Sequence, residues 1–118
     1  MPLSRNSLPL ITGEDFEKVE LRVGTLTKVE DFPEAKKGSY KLWIDFGELG
    51  TKRSSAQITG LYKKEELIGK QVICVTNFPM KQIANFVSEV LTTGFVLAGG
   101  EVVLAQPERP VPNGLKLA

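Results

Sequence analysis

Between Val19 and Glu30 the chain alternates apolar and polar residues with a period of two, and this stretch limits the possible folds more than any other. Val19, Leu21, Val23, Thr25, Thr27 and Val29 fall on one face, and Glu20, Arg22, Lys28 and Glu30 on the other, which predicts a long half-buried strand. Gly24 in its middle weakens a flat strand but suits one that bends or bulges to wrap a barrel. Just upstream, Thr12-Gly-Glu-Asp15 places an acid three residues after a threonine, a helix-start signal that predicts a single turn before the strand.

The same period returns at Tyr40 to Phe46, where Tyr40, Leu42, Ile44 and Phe46 share one face and Lys41, Trp43 and Asp45 the other. Residues 47–50 read as a hairpin turn, and Thr51 to Ile58 as a third, polar strand with one solvated face. The period then becomes helical: Leu61, Lys64/Glu65 and Leu67-Ile68, stopped by Gly69, predict a short helix. Gln71 to Val75 is a nearly continuous apolar run, as in a central strand. Residues 77–85 break regular structure at Pro79 and read as a long ordered loop. Phe86 to Leu97 and Glu101 to Ala105 read as two more strands joined at Gly99-Gly100.

Three strands, a short helix and then further strands is the element order of the five-stranded oligonucleotide-binding barrel. The expected fold class is therefore all-β, an OB-fold barrel with a short helix between strands 3 and 4. An SH3-like barrel or small sandwich remains open, and the helix in that slot favours the first. A chain of 118 residues is one ordinary domain, able to bury a core without staples. The proline-rich stretch from Pro107 to Pro112 is extended, and by pattern alone reads as a loose tail.

Composition removes most enzyme classes. The chain has no histidine, so Ser-His-Asp and Cys-His nucleophile pairs are impossible and the commonest zinc ligand is missing. No phosphate loop or dinucleotide fingerprint is present. Carboxylate or lysine catalysis stays open but has no spacing to support it, because the acids are scattered, and the expectation is a non-catalytic protein with no metal and no cofactor. The single cysteine, Cys74, lies in an apolar run and reads as a buried hydrophobe. No apolar run reaches the roughly 20 residues of a membrane helix, and residues 1–16 lack the apolar core of a secretory signal. The reading is a cytoplasmic protein without a membrane partner.

Net charge is +1, so any binding to a polyanion must come from a local patch. In an oligonucleotide-binding barrel the outer face of strands two and three, with flanking loops, forms the groove. That face is expected to carry Lys41, Trp43, Lys52, Arg53 and Ser54 or Ser55: cations for phosphates, an aromatic plate for a base, and hydroxyls for backbone or 2′-OH. Asn77, Lys81, Gln82, Asn85 and Ser88 form a second polar group, either satisfying backbone in a long turn or lining a pocket for RNA.

Residues 17–24 (EKVELRVG), 52–58 (KRSSAQI), 77–91 (NFPMKQIANFVSEVL) and 111–116 (VPNGLK) resemble the CsaA family of bacterial tRNA-binding-domain proteins. More distantly, the chain is similar to stand-alone bacterial tRNA-binding proteins, to C-terminal domains of some methionyl-tRNA synthetases and to the endothelial monocyte-activating polypeptide. The resemblance runs from Asp15 nearly to the end. It implies an OB-fold barrel, tRNA binding, a homodimer built partly from terminal extensions, and a chaperone-like role in export, with unfolded or exported polypeptides as partners. Asn77 and Ser88 match polar positions of the wider family, and residues 54–57 fall where it often has a Ser-Gly pair. The basic stretch of the wider family is replaced here by Gln82-Ile83-Ala84, so Lys81 alone keeps a charge in that loop. Under the resemblance the chain is one tRNA-binding domain, 1–118, with residues 1–14 and 106–118 as dimerisation arms.

Overall fold

The structure, a computed structural model, describes residues 8–118. A short helix α1 (Gly13–Glu17) precedes β1 (Leu21–Asp31), β2 (Ser39–Asp45) and β3 (Thr51–Gln57). Helix α2 (Lys64–Leu67) and β4 (Gln71–Val75) follow, and then five short strands: β5 (Lys81–Ile83), β6 (Phe86–Ser88), β7 (Leu91–Thr92), β8 (Gly94–Val96) and β9 (Val102–Leu104). The main sheet is antiparallel throughout, in the order β3-β2-β1-β4-β7. It curls into a nearly closed five-stranded barrel of the oligonucleotide-binding type, with the helix where the sequence places it.

Closure between β3 and the β6–β7 segment depends on polar side chains as well as backbone. Glu89 N–H donates to Arg53 O (2.8 Å), and Ser55 N–H donates to Ser88 Oγ (3.2 Å). Inside the seam, Ser54 is fully buried. Its hydroxyl donates to Val90 O (3.0 Å) and accepts from Thr92 Oγ1 (2.8 Å). A buried hydroxyl without partners is costly, so this pairing is what permits serine at a core position.

The core is Leu26, Leu42, Ile44, Phe46, Ile58, Leu67, Val72 and Cys74, ringed by Tyr40, Val90 and Leu104. β2 reads as expected, with Tyr40, Leu42, Ile44 and Phe46 inside. β1 does not. A single inward face through Val23, Thr25, Thr27 and Val29 was expected, yet Leu26 is the wholly buried residue and Thr27 is exposed. The register shifts between Leu26 and Lys28, a bulge that turns the strand's phase by one residue, so Leu26 and Val29 both meet the core. Thr27 secures the bulge by donating its hydroxyl to Trp43 O (3.2 Å). Gly24 is not the bulge. A Cβ there would sit 2.5 Å from Ile44 Cγ2 and 2.9 Å from Asp45 O, so the glycine provides room for β2.

Residues 77–85 are more regular than the expected loop, because 81–83 pair with 86–88 in a hairpin (β5–β6) whose turn residue Ala84 has φ +54°. The segment Phe86–Leu97, read as one strand that could be split, is three short strands, each with a different partner. Nor is the C-terminal segment a loose tail. The Gln71 side chain donates to Val111 O (2.7 Å) and accepts from Val111 N–H (3.0 Å), and Leu117 N–H donates to Leu21 O (2.8 Å). The segment is thus an extra edge beside β1. Of the N-terminal arm expected at 1–14, residues 1–7 lie outside the described residues. The Thr12 signal does start α1, with Thr12 and Asp15 exchanging side-chain to backbone hydrogen bonds of 3.1 Å.

Candidate nucleic-acid interface

Alternation along β2 turns Lys41 and Trp43 outward, and the antiparallel register sets Ser55 opposite Lys41 and Arg53 opposite Trp43. Phe86 of β6 lies over this outer face, with ring centroids 5.6 Å from Trp43 and 5.4 Å from Phe32, both edge to face. Cations surround the three rings: Lys28 Nζ is 4.5 Å from the Trp43 centroid, Lys41 Nζ 5.0 Å from Phe32, and Arg53 Cζ 5.5 Å from Phe86. Arg53 also pairs with Glu89 (3.3 Å).

Beside the aromatic cluster runs an open groove of about 360 Å³, lined by Ala35, Lys36, Ser39, Ser55, Ala56, Gln57, Lys81, Gln82 and Ile83. Three separate regions build it: the β1–β2 loop with the start of β2, the end of β3 and the β5–β6 hairpin. Gln57 Nε2 ties the loop to β3 by donating to Lys37 O (3.1 Å). The groove presents ammonium groups, a hydroxyl pair and amides on an apolar floor, the donors that phosphate and 2′-hydroxyl groups accept from.

A profile of the family described as "Putative tRNA binding domain" matches residues 21–116. The chaperone CsaA of Bacillus anthracis is 50% identical in sequence and superposes with a TM-score of 0.84, over 93% of this chain and 100% of that one. The CsaA chaperone protein of Picrophilus torridus is 54% identical, again with a TM-score of 0.84, over 92% and 100%. The chain belongs to the tRNA-binding domain family, in its CsaA branch. It is also 40% identical over 114 residues to a methionine–tRNA ligase of Nanoarchaeum equitans, matching 92% of this chain but only 14% of that enzyme.

Within that family frame, the expected site residues divide. Lys41, Trp43, Arg53 and Ser55 share the outer face, and Lys81 and Gln82 reach the groove beside Ser55. Lys52 does not join them. It is adjacent to Arg53 in an extended strand and therefore points to the opposite side, opposite Ile44, where it lines a pocket with Phe46, Leu49, Phe78, Met80 and Glu89. Ser54 is likewise interior, so only Ser55 of that pair faces out. Asn77 is occupied structurally: its carbonyl oxygen accepts from Glu20 N–H (2.9 Å) and its amide donates to Lys18 O (2.7 Å). Ser88 braces β3, and Asn85 sits exposed at the hairpin tip.

The structure also supplies groove residues that the sequence reading left out, namely Lys36, Ser39 and Gln57. The signal was available. Lys36-Lys37 stands in the loop between the first two strands, which in this barrel flanks the ligand face. Among the described residues no cluster of side chains is arranged to hold a metal ion, and no helix is long and apolar enough to cross a membrane. Burial pushes the Cys74 thiol up to about 12, against a weaker opposing effect of its hydrogen bond with Thr92. A neutral thiol of that kind is a core residue and not a nucleophile.

Proposed function

We propose that this domain is a non-catalytic cytoplasmic RNA-binding protein that holds tRNA in the groove between the β1–β2 loop and the β5–β6 hairpin. The carrying observation is the convergence of Lys36, Lys81, Ser55 and Gln57 from three distant segments on one side of the barrel. The family match supports tRNA as the RNA. Because the chain spans about 14% of the ligase it matches, it would bring tRNA-binding capacity without that enzyme's chemistry.

The proposed assembly is a homodimer, with residues 1–14 and 106–118 as its arms. Leu8, Leu10 and Ile11 are 67–78% exposed, and Leu115 and Leu117 are 52% and 46% exposed. Apolar exposure on this scale at both termini is what a second copy would cover. Sedimentation equilibrium should therefore return twice the monomer mass.

The deciding experiment is retention of total tRNA at about 50 and 200 mM salt, for wild type and for Lys36→Ala/Lys81→Ala, with Lys52→Ala as the opposite-face control. Each phosphate contact contributes roughly 0.7–0.9 to the slope of log affinity against log salt, so losing two cations lowers that slope by about 1.4–1.8. The control should bind as wild type does. If wild type fails to retain tRNA at low salt, the proposal falls.

A second reading, binding of unfolded polypeptide, rests on the pocket around Lys52. Phe78 and Met80 are 47% and 70% exposed there, and the neighbouring carboxylates are already engaged, Glu20 by Arg22 and Glu89 by Arg53. Soft, exposed apolar side chains suit promiscuous clients. Suppression of client aggregation that is insensitive to salt and lost in Met80→Glu would favour this reading.

A further inference from the structure

Single-stranded ligands of oligonucleotide-binding barrels stack their bases on outer-face aromatic plates flanked by cations. This barrel has the plates, Trp43 and Phe32, and the cations, Lys41 and Arg53. The place of the base, however, is taken. Phe86 is 4% exposed, touches both rings, and accepts Lys41 and Arg53 against its own ring, each at 5.5 Å. It is held there by the next residues along the chain, since Ser88 and Glu89 both bond to β3.

We propose that Phe86 is a specificity-determining residue, an internal occupant of the stacking platform that withholds it from single-stranded RNA. Base stacking is the sequence-tolerant source of affinity for unstructured strands. With the platform closed, the outer face offers chiefly ammonium, guanidinium, hydroxyl and amide contacts, which a folded, duplex-like RNA can satisfy through its phosphates and 2′-hydroxyls while its bases stay paired. The inference rests on the reading that the outer face is the RNA side, and it names what that side rejects.

Trp43 is the only tryptophan in the chain, so its emission reports stacking directly. Oligouridylate and total tRNA are titrated separately into wild type, Phe86→Ala and Phe86→Leu, with circular dichroism confirming that each is folded. Wild type should bind oligouridylate weakly and without quenching Trp43. Phe86→Ala should bind it at least about fivefold more tightly, as expected for one newly stacked base, with quenching, a gain larger than any change in its tRNA affinity. If Phe86→Ala does not fold, Phe86→Leu is read instead, and a smaller gain with quenching supports the proposal. Quenching of wild type by oligouridylate at the affinity of the variants would overturn it, as would a folded variant that gains nothing. Should wild type retain no tRNA while Phe86→Ala gains oligouridylate binding, the tRNA reading fails and the role of Phe86 stands.

Discussion

Two apolar clusters lie on opposite sides of β2, and they are built on different principles. The inner one, around Leu42, Ile44 and Leu26, is largely aliphatic and buried, and the polar groups at its border are hydrogen-bonded: Thr92 donates to Ser54, and the Tyr40 hydroxyl donates to Tyr62 O. The outer one, Phe32, Trp43 and Phe86, is aromatic and surrounded by cations, and one of its members, Trp43, is only half-buried. Inside, tight packing leaves every methylene with a stability cost if it is removed. Outside, the rings serve a surface: they order the cations around them and set what a ligand finds. The comparison teaches that on a curved sheet burial alone does not separate scaffold from site, since Phe86 is as buried as much of the core yet lies on the ligand side.

The largest expected effect comes from breaking the inner cluster. Leu42→Ala, at a site with no exposed surface, should cost about 2–5 kcal/mol by loss of transfer energy and an unfilled cavity, measured by urea unfolding. Gly24→Ala tests the same wall from the other direction. Its added methyl would meet Ile44 Cγ2 at 2.5 Å and Asp45 O at 2.9 Å, an overpacking expected to cost roughly 1–3 kcal/mol. A neutral result there would mean that β2 can shift outward, and the outer rings should then shift with it.

The smallest effect concerns a charge at the junction of α1, β1 and β4. Hydrogen bonds from the Arg22 guanidinium (2.7 Å) and the Thr76 hydroxyl (2.9 Å) hold the Glu20 carboxyl below the usual glutamate value of 4.5. A depressed carboxylate is more easily ionised in the native state than in the unfolded one. Its stabilisation is therefore fully present above pH 4.5 and fades as pH falls through the lowered native value. Urea midpoints of wild type and Glu20→Gln should differ at neutral pH and converge in acid. A difference that persists at the lowest pH would mean that Glu20 acts through packing and not through its charge.

Legibility in the sequence followed the range of the interactions. β2 was fully readable, because strict alternation over seven residues has one solution when one face is buried. α1 was readable because a capping box is local, and the Lys41 and Trp43 orientation followed from the same alternation. Lys52 and Arg53 were read together as a basic pair, although extended backbone sends neighbours to opposite faces. The phase of β1 was misread because a bulge leaves no mark in the pattern until the partner strand is known. The β5–β6 hairpin was hidden for a similar reason, since its two-residue turn carries Ala84-Asn85 and not a glycine.

The residues alone determined the all-β class, the order of the first four strands and the helix before the fourth, the absence of imidazole chemistry and, through the long blocks at 52–58 and 77–91, the family. Each follows from local periodicity, from composition or from contiguous residues. Tertiary structure decided the rest: Lys36 and Lys81 share a groove, Ser54 and Lys52 are turned away from it, and Phe86 covers the aromatic plates. The shared groove and the covered plates depend on contacts between residues about 33 to 54 positions apart, and one bulge or one turn, set by the partner strand, rotates every side chain beyond it to the other face.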